Sequence, residues 1–237
     1  MTIGNSLLGG LRNWLAVFAQ SAEPPISLEF GGAGKGSGHV DQYVNWKNLK
    51  VRQKIMTGGY DVVLIQTYRR PYEDEWQESF TPYLATLVQW IRDSGAYPVV
   101  YMPHTSYSNQ PDQQYVAHER IKQACEEIGA GYIPAGLAWS KVAEDNPRPS
   151  DAANRPQEAD GKYDSWLYND GVHQSTMGQM LTAMVIWEYL TGQPATEMGL
   201  PEDWSAFFNK KHDILEEKIP YLREVAAEIG EPAPPLR

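Results

Sequence analysis

Two runs constrain this chain more than any other feature: Asp61-Val62-Val63-Leu64-Ile65-Gln66 and Tyr97 to Met102. Neither alternates apolar with polar residues. A strand without that alternation is covered on both faces, which is the habit of parallel sheets. Parallel neighbours must be joined by crossovers, usually helical. Helical patterns stand where the crossovers are needed. Phe80 to Asp93 ends at Gly95, Tyr115 to Ile128 ends at Gly129, and Ser175 to Leu190 ends at Gly192. Further strands read at Met1 to Ile3, Ile26 to Phe30 and Gly131 to Pro134, and further helices along the Leu8, Leu11, Leu15, Phe18 stripe, over Tyr43 to Met56 and over Gly136 to Glu144. Residues 145–168, rich in proline and polar residues, read as a long loop, and Pro201 to Ile229 as one or two tail helices. The expectation is a mostly parallel five-stranded α/β sheet with helices on both faces.

Composition narrows the function. The 237 residues carry a net charge of −10, which repels phosphates and speaks against nucleic acid as a partner. The single Cys125 excludes an intrachain disulfide and a cysteine-based zinc site. No His, Asp or Glu spacing suggests a metal cage, and no cofactor motif is met. In the glycine run Gly31 to Gly38, Lys35 is followed by Gly36 rather than by Ser or Thr, so the P-loop pattern fails, and a Gly-x-Gly-x-x-Gly fingerprint is absent. No run of 18 apolar residues is present to span a membrane. The first strand, with only Met1, Thr2 and Ile3 before a turn, is short. A signal peptide removed upstream, and hence a secreted or periplasmic protein, would account for it, with a cytoplasmic protein as the other reading. Oligomeric state is left open.

Ligands of open α/β sheets bind beyond the carboxyl ends of the strands. The segments there are Gly4-Asn5-Ser6-Leu7, the glycine run, Gln66, and, ahead of the Ser175 helix, Asp170-Gly171-Val172-His173. Ser6 alone reads as a helix cap, Asp170 alone as another, and His173 alone as a surface histidine. Together they supply a hydroxyl, a base with a pKa near working pH, and a carboxylate three residues away to orient that base.

Gly4-Asn5-Ser6-Leu7 resembles the first block of the SGNH (GDSL-type) hydrolase superfamily, usually Gly-Asp-Ser-Leu, and Asp170-Gly171-Val172-His173 resembles its last, Asp-x-x-His. The resemblance covers residues 1–192 and keeps the chain order of the family. It implies a flavodoxin-like three-layer α/β/α sandwich and a serine esterase with Ser6 as nucleophile, His173 as base and Asp170 as orienter. It implies an oxyanion hole from the Ser6 N–H, a glycine N–H and an asparagine side chain. Gly34 matches the glycine best, with Gly32 and Gly36 open. The asparagine block departs: Ile65-Gln66-Thr67-Tyr68 puts Gln66, one methylene longer, in its place.

Around this set, Arg69, His104, Trp166 and Tyr168 are the expected substrate-binding residues. Arg69, next to Arg70 and Tyr72, would meet an acidic or sugar leaving group or sit in an exposed loop, and His104 follows the fourth strand. Trp166 and Tyr168 would stack on a sugar ring. The substrate expected is a short-chain acyl ester, acetyl foremost, of a small molecule or glycan. The rivals are a lipid or thioester hydrolase and a catalytically silent carbohydrate-binding relative. Residues 1–200 are expected to form the hydrolase-like domain, with 201–237 a helical extension packed on it.

Overall fold

The computed structural model describes residues 1–36, 38–67, 76–106, 110–146, 166–201 and 214–230. Five parallel strands form one sheet in the order β2-β1-β3-β4-β5, where β1 is Thr2–Gly4, β2 Gly32–Gly34, β3 Val62–Gln66, β4 Tyr97–Tyr101 and β5 Gly131–Ile133. This is the flavodoxin-like, doubly wound order, whose direction reverses between β1 and β3. The register pairs Thr2 with Gly32 on one side of β1 and with Leu64 on the other.

The two faces are filled separately. Successive side chains of a strand point to opposite faces. Ile3, Val63, Ile65 and Val100 go into one apolar cluster with α2 (Val40–Asn45), α3 (Val51–Thr57), α4 (Trp76–Asp93) and α5 (Asp112–Ile128). Leu64, Val99, Tyr101 and Ile133 go into the other, with α1 (Leu11–Ser21), α6 (Ala135–Asp145), α7 (Thr176–Thr191) and α8 (Ile219–Ile229). Helix α7 is buried almost all round, as expected of a helix enclosed by its neighbours. Helix α8 carries Pro220 in its first turn, where the missing N–H costs nothing. It buries Ile219, Leu222, Val225 and Ala226 in the α1–α7 cluster.

Two elements differ from the pattern reading. Ile26 to Phe30 is not a strand: Ile26, Leu28 and Phe30 are exposed, and the pairing falls on the glycines that follow. The reason is steric. A Cβ on Gly34 would stand 2.1 Å from the Gly4 carbonyl oxygen, so only glycine brings this strand against β1. The helix expected over Tyr43 to Met56 is broken in two. The chain leaves α2 at Trp46, makes one 3₁₀ turn over Lys47–Leu49, and passes Lys50 in the left-handed region (φ 50°) before α3. The break lets Val40 and Tyr43 of one piece, and Val51 and Ile55 of the other, reach the same core.

No helix among the described residues is long and apolar enough to cross a membrane. Arg69, most of the 145–168 loop and residues 202–213 and 231–237 of the tail lie outside the described residues.

Candidate active site

The nucleophile candidate leaves β1 on a short, tightly held turn. Asn5 is the capping residue: its Oδ1 accepts the Leu7 N–H at 3.0 Å, opening a 3₁₀ turn over Ser6–Leu8. Ser6 is therefore released from the capping role its residue type suggests, and it is exposed. The longer helix, α1, starts only at Leu11, so Ser6 does not stand at the N-terminus of a long helix as the pattern implied. Asn5 is pinned in turn. Its N–H donates to Gln66 Oε1 (3.0 Å), its Oδ1 accepts from Gln66 Nε2 (2.8 Å), and its Nδ2 donates to the Gly38 carbonyl (3.2 Å).

The candidate base, His173, sits on a closed loop ahead of α7. An antiparallel bridge joins Tyr168 to Gln174. Asn169 N–H donates to the His173 carbonyl (2.9 Å), Asn169 Nδ2 to the Gln174 carbonyl (2.8 Å), and Ser175 N–H to the Leu167 carbonyl (2.8 Å). Gly171, at φ 76°, turns the loop where a side chain would be strained. Ser175 then caps α7 through the Gly178 N–H.

Asp170 uses both carboxylate oxygens. Oδ1 accepts the backbone N–H groups of Val172 (3.0 Å) and His173 (2.6 Å), and Oδ2 lies 2.6 Å from His173 Nδ1. Burial alone would raise its pKa, but the hydrogen bonds from the His173 N–H and ring and from Val172 outweigh this and hold the carboxyl below its usual range. An ionised carboxylate can only accept, so Nδ1 carries the proton and Nε2 presents a lone pair. That lone pair lies 3.2 Å from Ser6 Oγ. A serine hydroxyl, an imidazole able to take its proton and a carboxylate fixing the tautomer thus line up, with Asp170 and His173 each about half exposed.

The other expected residues are placed differently. Gln66 lies at the end of β3 but is fully buried, and its amide is spent on Asn5. It supports the nucleophile turn from beneath instead of facing an oxyanion. Gly34 sits beside Gly4 and is exposed at the sheet edge. His39 caps α2. Trp166 is half-buried, edge-on to Tyr221 (6.5 Å between centroids) with Lys218 Nζ 5.9 Å from its ring centre. Tyr168 is buried, with Oη donating to the Thr105 carbonyl (2.8 Å), so its ring is not open to a sugar. His104 stands at the expected edge but beneath the surface, 4% exposed, and cannot touch substrate in this conformation. Sequence order and type locate these side chains along the chain but carry no signal for depth. Asn5 and Gln174, which organise the two loops, adjoin Ser6 and His173 and were legible only by that adjacency. Among the described residues no group of three or more His, Cys, Asp or Glu side chains could hold a metal ion.

Burial pushes the His104 pKa from 6.5 down to about 4, against the opposing pull of its bond to the Val172 carbonyl. The folded protein therefore keeps this ring neutral while the unfolded chain binds a proton below about 6.5. Its contribution is fully present above that pH and is lost as the pH falls toward 4, on the order of 3 kcal/mol in all. The expected result is a melting temperature that declines through this window in the wild type and more shallowly in His104→Gln, measured by thermal unfolding at a series of pH values.

No family model matches the sequence, and no curated protein matches it significantly. Solved structures do match. A DUF4886 family protein from Bacteroides uniformis superposes with a TM-score of 0.68 at 15% identity, over 96% of this chain and 92% of its own. A Slackia heliotrinireducens protein provisionally described as an SGNH hydrolase gives 0.57 at 20% identity, over 79% of this chain and 95% of its own. A mutant of Axe2, an acetyl-xylooligosaccharide esterase from a Geobacillus, gives 0.55 at 16% identity, over 77% and 89%.

The chain has the SGNH-hydrolase fold.

Other neighbours with this SGNH-hydrolase fold are Axe2 proteins described as catalytic mutants, one with a serine and one with a histidine replaced by alanine. At these identities the likeness speaks for architecture, and the chemistry rests on the residues of this chain.

Proposed function

We propose that the protein is a serine esterase that removes short acyl groups, acetyl foremost, from a carbohydrate through an acyl-enzyme. The observation that carries the reading is the line from Asp170 Oδ2 to His173 Nδ1 (2.6 Å) and from His173 Nε2 to Ser6 Oγ (3.2 Å). In the first half-reaction His173 Nε2 takes the Ser6 proton as Oγ bonds to the acyl carbon. The imidazolium then returns that proton to the departing alkoxide as the ester C–O bond breaks. In the second half, water loses a proton to Nε2 and attacks the same carbon, releasing the acid and restoring Ser6. The negative oxygen of each tetrahedral species is assigned to the N–H groups of Ser6 and Gly34. Gln66, turned to Asn5, has no direct part in it.

The alcohol side is supported by two things. Ser6, Asp170 and His173 are all exposed, which suits a bulky glycan. The Axe2 neighbours are described as acting on acetylxylan or acetyl-xylooligosaccharide. Arg69 and Trp166 are retained as substrate-binding candidates. One observation favours a lipid or thioester hydrolase: Val172, beside the catalytic histidine, exposes 42% of its surface and could meet a longer acyl chain. A series of aryl acetate, butyrate and octanoate esters separates the two. The highest kcat/KM is expected for acetate. A preference for octanoate would favour the second reading, and no hydrolysis of any ester would refute both.

A further inference from the structure

Val172 and His173 share a peptide unit, and both of its polar ends are held. The N–H end donates to Asp170 Oδ1 at 2.6 Å. The carbonyl end lies 2.8 Å from His104 Nε2. We propose that His104 is a positioning residue for the triad: its Nε2–H holds the Val172 carbonyl and so fixes the peptide from which the His173 ring projects. The proposal rests on reading Ser6, His173 and Asp170 as a triad.

The tautomer follows from the partners. A carbonyl only accepts, so Nε2 of His104 carries the hydrogen and Nδ1 is bare. Gln174 Nε2 approaches that bare nitrogen at 3.5 Å, so the amide supports the same tautomer. The ring is also fixed in its plane. It stacks on Trp139 with centroids 3.8 Å apart and 13° between planes, and Tyr168 meets it edge-on at 5.3 Å. Trp139 is anchored by its Nε1–H to Thr182 Oγ1 of α7 (3.1 Å), and Tyr168 by its hydroxyl to the Thr105 carbonyl (2.8 Å). His104 leaves the sheet just after β4, so it ties the exposed loop to the sheet's rigid edge. The Val172 side chain is exposed and contributes little packing, which leaves the backbone contact to do the holding.

The test compares wild type, His104→Gln and His104→Leu. Glutamine can place its Nε2 where the imidazole Nε2 stood and keep the donor, whereas leucine removes it. With aryl acetate, His104→Leu is expected to lower kcat by about 10–100-fold with KM changed less than about twofold, and His104→Gln to recover most of the loss. Amide hydrogen exchange at Val172 and His173 is expected to speed up by about tenfold or more in the leucine variant and to return toward wild type with glutamine. A folded leucine variant with unchanged kcat and unchanged exchange would overturn the proposal, as would a glutamine variant as impaired as leucine. Nitrogen-15 NMR of the wild type covers the case in which His104→Leu does not fold. A hydrogen on Nε2 and a bare Nδ1 are expected at neutral pH, and the opposite tautomer or a charged ring would refute the assignment. If wild type hydrolyses no ester, the esterase reading fails alone, because exchange and tautomer still decide whether His104 holds the loop.

Discussion

Replacing Ser6 by alanine is expected to lower kcat/KM for aryl acetates by about 10⁴–10⁶-fold. The hydroxyl is the proposed nucleophile, so its loss removes the acyl-enzyme route entirely. What survives is catalysis by the backbone donors and by substrate binding, which in serine hydrolases is still about 10³-fold over water. The fold should be untouched. Ser6 is exposed, and its Oγ meets the partly exposed His173, so truncation opens no cavity and strands no buried polar group. The unfolding free energy should stay within about 0.5 kcal/mol of wild type. Rates for purified wild type and variant, with unfolding curves in parallel, check both statements. Equal rates would remove Ser6 from the mechanism, and a large loss of stability would mean that the turn depends on the hydroxyl.

Asp170→Asn is expected to lower kcat by about 10⁴-fold with a small effect on folding. The carboxylate makes two kinds of contact. Oδ1 takes the backbone N–H groups of Val172 and His173, and Oδ2 takes the ring proton on Nδ1. An asparagine can keep its oxygen on the backbone pair, because that shapes the turn. Its amide nitrogen then faces Nδ1, and two donors cannot share one line. The imidazole answers by moving its proton to Nε2, which then donates toward Ser6 Oγ and no longer accepts from it. The ring stays in place and the chemistry stops. Steady-state kinetics gives the fall, and nitrogen-15 shifts of His173 report the tautomer directly. An Asp170→Asn enzyme of near wild-type kcat would show that orientation of the base comes from elsewhere.

Much of the architecture was legible because burial on both faces leaves its mark in residue type. Val62 to Ile65 and Pro98 to Tyr101 could be little else than central parallel strands, and the run Met177 to Tyr189 matches a helix enclosed by its neighbours. The edge strand β2 was not legible. Three residues of glycine and alanine carry no strand propensity, and they pair because their small size permits a close approach. The alternation of Ile26, Leu28 and Phe30 mimicked a strand while facing solvent. Within the site, Ser6, Asp170 and His173 could be proposed because topology dictates where loops converge. Gln66, His104 and Tyr168 stand in the expected segments, but a segment's position does not tell whether a side chain rises to the surface or sinks beneath it. All three sink, and they support the loops that carry the exposed groups.

The placement of Ser6 after the three-residue β1 also governs when activity can arise during folding. Strand β1 is flanked by β2 and β3, both later in the chain, and Ser6 meets His173 across 167 positions of sequence. Contacts so distant form late, because a long loop must be closed before they repay its entropy. On a ribosome the proposed nucleophile emerges before the whole sheet is made, and its proposed base only after all five strands. Hydrolysis, once detected, would therefore be a clock for the finished topology: a partly assembled chain would hold a serine with no partner to activate it.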